Sequence, residues 1–128
     1  MQNNPYANYK RMQVETASPG RLLLMLYEGA LKNMRMAQEC LAQKNMERAH
    51  NHLVKAQDIV MELNCTLNMD SGEIAEKLRS LYVYIHKRLI DANLKKDAAI
   101  VQEVINVMST LKEAWDSIIL KNNSAQTP

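Results

Sequence analysis

Glu47 and His50 form an E-x-x-H pair, the spacing that places a carboxylate and an imidazole on one face of a helix. Di-iron bundles use two such motifs plus two further inward-facing glutamates. This chain offers one, and its neighbours on that face do not supply the rest. His50 also follows the apolar seam residue Ala49, which places it beside a core and leaves it a poor metal ligand. Asp58 and Glu62 are four apart on a helix face and read as solvated carboxylates or the polar rim of a groove. Cys40 and Cys65 sit inside helical patterns without C-x-x-C spacing, so the expectation is two free thiols in a reducing cytosol. No Gly-rich phosphate loop and no G-x-S-x-G is present. The expectation is therefore no enzyme, no metal and no cofactor.

His52-Leu53-Val54-Lys55-Ala56 admits one alternative. Histidine phosphotransfer modules are four-helix bundles of similar size, with a solvent-facing His followed by Leu-Lys-Gly at fixed offsets, and Val54, Lys55 and Ala56 stand at those places. Val replaces Leu, and Ala replaces the Gly that would let a response regulator approach. The simpler reading is a helix-surface histidine, as it is for His86.

The elements that carry these residues are helical. Phe is absent, Met occurs nine times, and Gly and Pro three times each, a balance that favours helix over sheet. The methionines suit either core filling or an adaptable binding surface. The net charge of +2 is too small and too interspersed for nucleic-acid binding. The apolar run from Leu22 to Tyr27 is too short to span a bilayer, and the N-terminus has no charged or apolar signal region.

Residues 1–17 are polar, with Tyr6, Tyr9 and Met12 at three-residue spacing, and are expected to form a short, mobile helical segment that must dock to be ordered. Ser18 is an N-cap and Pro19 the first helical residue. A helix is predicted over 19–42. A second, over 46–66 and capped by Asn45, carries the seam Met46, Ala49, Leu53, Ala56, Val60, Leu63 and Leu67, with Ile59 on a line beside it. Asp70-Ser71-Gly72-Glu73 resembles a capping box for a third helix ending near Asn93, with Ile74, Leu78, Leu81, Ile85 and Leu89 on one face. Tyr82 and Tyr84 lie on different faces, so only one can enter a core. Asp97 caps a fourth helix over 98–120, and 121–128 is a polar, frayed tail. Matched lengths and short loops predict an all-α, antiparallel up-down-up-down four-helix bundle. The domain division is 1–17, 18–120 and 121–128. The fourth helix has two apolar stripes, one through Ile100, Val104, Val107, Leu111, Ala114 and Ile118, the other through Val101, Ile105, Met108, Trp115 and Ile119, where a bundle needs one. Surplus apolar surface implies a groove for a partner helix, the chain's own N-terminal segment or a second copy.

Three stretches, taken together, carry a family resemblance. They are the N-terminal run from Tyr6 through Thr16-Ala17-Ser18-Pro19, KAQDIVMELN at 55–64 and IAEKLRSLYVYIHKRLIDAN at 74–93. In this order and spacing the chain resembles the bacterial flagellar secretion chaperone family FliS from about Tyr6 to Trp115. The resemblance implies a cytoplasmic chaperone that binds the disordered C-terminal segment of flagellin, prevents premature polymerisation and delivers it to the flagellar type III export gate. It also implies a flagellin groove on the second to fourth helices, assigned here to Ile59, Leu63, Asn64, Tyr82, Ile85, Leu89, Val104 and Met108. The N-terminal cover and gate-recognition segment would map to Tyr6, Tyr9, Gln13 and Thr16. Self-association is left open.

Overall fold

The computed structural model describes residues 18–126. Four helices, α1 (Pro19–Ala42), α2 (Met46–Cys65), α3 (Glu73–Lys95) and α4 (Ala98–Gln126), follow one another, with a 3-10 turn at Met69–Ser71. α1 and α3 each pack against both α2 and α4. The side-chain bonds fix the directions. Gln38 Nε2, late in α1, reaches the carbonyl of Ala98 at the start of α4, and His50, early in α2, meets Asn93, late in α3. The arrangement is the expected antiparallel four-helix bundle.

The helix starts follow their caps. Ser18 Oγ accepts from Arg21 N at 3.2 Å, Asn45 Oδ1 from Arg48 N at 3.2 Å and Asp97 Oδ1 from Ala99 N at 2.9 Å. The expected capping box at Asp70 does not form. Asn68 instead caps the 3-10 turn, accepting from Asp70 N at 3.1 Å. α3 starts after Gly72, at φ 78° and ψ −140°, a conformation open only to glycine. The chain needs this extra turn to reverse direction between α2 and α3. α4 also runs past the expected end at residue 120, as far as Gln126.

The two connections at the other end of the bundle are built alike. Asn45 N bonds to the Cys40 carbonyl (2.8 Å) and Lys44 N to that of Leu41 (3.0 Å); Asp97 N bonds to Ala92 (3.0 Å) and Lys96 N to Asn93 (3.4 Å). Each is a Schellman-type ending with a lysine where glycine is usual, Lys44 at φ 60° and Lys96 at φ 49°. The following Asx residue then caps the next helix.

Fully enclosed alanines, Ala30 and Ala37 on α1 and Ala49 and Ala56 on α2, recur at seven-residue intervals. With so little side chain between them, α1 and α2 approach closely. Gly29 belongs to the same contact, since a Cβ there would lie 3.4 Å from Ile59 Cδ1. Tyr27, Met34, Leu53, Val60, Leu63, Tyr82, Ile85, Leu89, Val104 and Met108 fill the centre.

Candidate docking surface and the residues beneath it

The core is closed at one end and half-open at the other. At the end holding the α1–α2 and α3–α4 connections, Cys40, Leu41, Ala49, Leu89, Ala92, Ile100 and Val101 are buried. At the opposite end the apolar residues pack on the core without being covered: Leu22 and Leu23 of α1, Leu67 after α2, Leu78 and Leu81 of α3, and Val107, Leu111 and Trp115 of α4. At the rim, Ile74 is 70% exposed and Ile118 49%. Both belong to the ends of α3 and α4 that meet there. A mouth of leucines with an uncovered isoleucine on two walls is a surface that gains from an apolar partner.

Its floor is polar and satisfied. Tyr27 (0% exposed) and Tyr82 (1%) are buried, their hydroxyls 2.6 Å apart and their rings tilted by 59°. Trp115 Nε1–H donates to the Tyr27 hydroxyl at 3.2 Å. Three helices are thus joined by a chain of donors in a dry site, where each bond avoids the cost of an orphaned polar group. Burial, reinforced by the bond to Tyr82, raises the Tyr27 pKa far above the ordinary tyrosine value. Burial also raises that of Tyr82.

The remaining polar clusters tie helix to helix. Asn93 Nδ2 donates to His50 Nδ1 (2.9 Å), while Lys96 Nζ donates to the Asn93 carbonyl (2.6 Å) and Oδ1 (2.8 Å). On the outer face of α3 and α4, Arg88 Nε and Nη2 each donate to the Glu103 carboxylate at 2.8 Å, and the Tyr84 hydroxyl does so at 2.8 Å. Arg88 and Tyr84 push the Glu103 pKa down to about 2. His52 is half-buried, with Nδ1 3.0 Å from Asn33 Oδ1. Asn33 Nδ2 donates to the Gly29 carbonyl, so its Oδ1 is the acceptor and His52 Nδ1 carries the proton. Burial, then Lys55 and Arg48, lower the His52 pKa. His52 is held as a packing residue between α2 and α1. Among the described residues no group of three or more His, Cys, Asp or Glu could hold a metal ion, and no helix is long and apolar enough to cross a membrane.

The residues expected to line the groove are placed differently. Ile59, Leu63, Tyr82, Ile85, Leu89, Val104 and Met108 are all core, because the seams that made them conspicuous in the sequence are the seams the bundle buries first. Only Asn64 among the eight is half-buried; its Oδ1 is enclosed with no hydrogen-bond partner. Tyr6, Tyr9, Gln13 and Thr16 lie outside the described residues. The half-open surface uses other members of the apolar lines read from the sequence: Ile74, Leu78 and Leu81 from the face of α3, and Leu111, Trp115 and Ile118 from the two different stripes of α4. The usable signal was that all six fall at the same end once the helices are laid antiparallel.

Fold and site together define a small helical bundle whose polar clusters serve packing and whose distinctive surface is an apolar mouth. The sequence matches the family described as flagellar protein FliS over residues 1–122, and the chain belongs to that family of flagellar secretion chaperones. A Bacillus subtilis protein named flagellar secretion chaperone FliS is 40% identical over 116 residues, 91% of this chain and 86% of that one. A Campylobacter jejuni protein of the same name is 34% identical over 128 residues, 98% of this chain and 100% of that one. A crystal structure of a bacterial flagellar chaperone matches with a TM-score of 0.76 over 92% of this chain and 99% of that one, at 18% identity. That likeness supports the fold.

Proposed function

We propose that the protein is a cytoplasmic, non-enzymatic chaperone. It binds the C-terminal segment of flagellin, keeps it from polymerising and delivers it to the flagellar export apparatus. The observation that carries the docking part is the half-open apolar end, with Ile74 and Ile118 exposed above Leu78, Leu81, Leu111 and Trp115. Family membership points to the guest. A disordered amphipathic segment exposes the apolar face it later uses in assembly, and laying it on the bundle as a helix in a groove covers that face. Ordering the segment costs several kcal/mol, about 2–5, so a sizeable contact yields moderate affinity, which suits a carrier that must release its cargo.

In this reading the buried residues first expected at the groove shape it from beneath, except Leu89, which belongs to the closed end, and Asn64 lies at its edge. Tyr6, Tyr9, Gln13 and Thr16 remain the proposed cover of the empty groove and the contact to the export gate. Phosphotransfer through His52 gains no support, since its ring is packed against Asn33.

Titration with a flagellin C-terminal peptide by calorimetry tests the docking. Binding with a negative heat-capacity change is expected. Ile74→Ser and Ile118→Ser, both at exposed sites, should each weaken it by roughly tenfold, the worth of about 1.5 kcal/mol of apolar burial, with the melting temperature unchanged. Absence of binding by the unmodified chain would overturn the reading.

A further inference from the structure

The two halves of α4 are packed differently. Ile100, Val101, Val104, Ile105 and Met108 are buried, whereas no residue from Ser109 to Ile119 is. The change falls at the Ser109-Thr110 pair, where Thr110 Oγ1 donates back to the Asn106 carbonyl at 3.0 Å. Back-bonding of this kind softens a helix and lets it bend. Beside this half of α4 a cleft of about 320 Å³ separates it from α1, lined among others by Glu28, Leu31, Arg35, Ser109, Lys112 and Asp116. Leu111 and Trp115 rest half-buried on the core, Lys112 faces Glu28 of α1 electrostatically, and two closer contacts tie this half of α4 back to α1. One is the bond from Trp115 Nε1 to the Tyr27 hydroxyl. The other is the seat of Ile119 on Gly20, where a Cβ would come within 3.3 Å of the isoleucine.

We propose that residues 110–119 form an arm that opens separately from the bundle, with the Trp115–Tyr27 bond as its latch, and that its opening admits the helical guest. The second clause rests on the docking function proposed above; the first rests on packing alone. A segment with little buried apolar surface opens at a fraction of the global unfolding free energy. Opening at Ser109-Thr110 frees the inner faces of Leu111 and Trp115 and uncovers Leu31 across the cleft. That presents a two-walled apolar slot in place of a shallow mouth. A guest that selects the open state has its apparent affinity reduced by the fraction of time the arm is closed, so the latch sets how tightly cargo is held.

Hydrogen exchange of the free chain, followed by mass spectrometry, tests the arm. Amides in 110–119 should exchange at least tenfold faster than those in 99–108 although both belong to one helix. The variant Tyr27→Phe/Tyr82→Phe removes both hydroxyls, leaves no buried hydroxyl orphaned and keeps Trp115, the single tryptophan, as a probe. It should speed exchange in 110–119 by a further roughly fivefold, the worth of one hydrogen bond, shift Trp115 emission to the red and leave 99–108 unchanged. It should also tighten binding of a flagellin C-terminal peptide. Equal protection along the whole of α4, or a variant in which both segments speed up together, would overturn the arm. Peptide binding of unaltered affinity in a variant with a loosened arm would overturn its role in admission. Independent opening with no peptide binding at all would sustain the arm and sink the docking function instead.

Discussion

Tyr27 shows how much a single buried group can hold together. Its hydroxyl stands between Tyr82 and Trp115, so it joins α1 to α3 and α4 at the floor of the apolar mouth. Its raised pKa has a consequence for stability. A tyrosine whose folded pKa lies above its ordinary value of 10.0 must stay neutral in the folded state, while the unfolded chain ionises freely. The stabilisation is complete below pH 10 and is lost as the pH climbs above it. Urea melts between pH 8 and 11.5 should therefore show stability falling steeply above about pH 10, with much of that fall removed in Tyr27→Phe/Tyr82→Phe. A fall of equal depth in the double variant would place the alkaline sensitivity elsewhere.

At the level of elements, the closed end gives a clean test. Lys44 holds a left-handed conformation at the end of α1, which disfavours any residue with a Cβ by about 1–2 kcal/mol. Unlike the ammonium of Lys96, which bonds to Asn93, that of Lys44 has no such bond among the described residues. Lys44→Gly is expected to stabilise the protein by about 1 kcal/mol in denaturant melts, less a fraction for the greater freedom of glycine in the unfolded chain. α4 offers the complementary test. Met108 is fully buried and Leu111, three residues on, is not. Met108→Ala should cost about 2–5 kcal/mol of stability. Leu111→Ala should cost much less and instead weaken binding of the flagellin peptide; equal losses of stability at the two sites would show that the core does not taper where the burial says it does.

The middle of the α2 seam was legible because everything that determines it is local: Ala49, Leu53, Ala56, Val60 and Leu63 repeat every three or four residues and all are buried, while its end members are not, Met46 being exposed and Leu67 half-buried. The α3 face was read less well. Ile74, the first residue of the expected apolar face, is exposed, whereas Ala75, Tyr82 and Asn93 are buried. Tyr82 and Asn93 are polar, and what lets them enter is a hydrogen bond to a residue far away in sequence, Tyr27 and His50 respectively. No local pattern contains that information. The two stripes of α4 were correctly seen, but they separate along the helix rather than around it. Both stripes are buried as far as Ile105; of the next members Met108 is buried and Val107 only half-buried, and beyond Met108 neither stripe is.

For the whole molecule the same limit explains the groove. Periodicity states which face of a helix is apolar. How far each end is covered depends on where four helices of different length stop relative to one another, and on α4 continuing to Gln126. Ile59, Leu63, Tyr82, Ile85, Leu89, Val104 and Met108 were assigned to the groove from the family resemblance, and they lie in the core because they stand on or beside the apolar lines that the bundle buries. Family membership, by contrast, was visible in three stretches of sequence before any packing was known.

The central claim, that flagellin's C-terminal segment docks at the half-open end, is most directly tested by mapping backbone amide shifts of the labelled full chain during titration with that peptide. Shifts should concentrate in residues 74–81 and 107–119, together with Leu22, Leu23 and Leu67, while the closed end around Ala92, Asn93 and Ile100 stays silent. Shifts centred on the closed end, or a saturated complex in which residues 74–81 and 107–119 do not move, would contradict it.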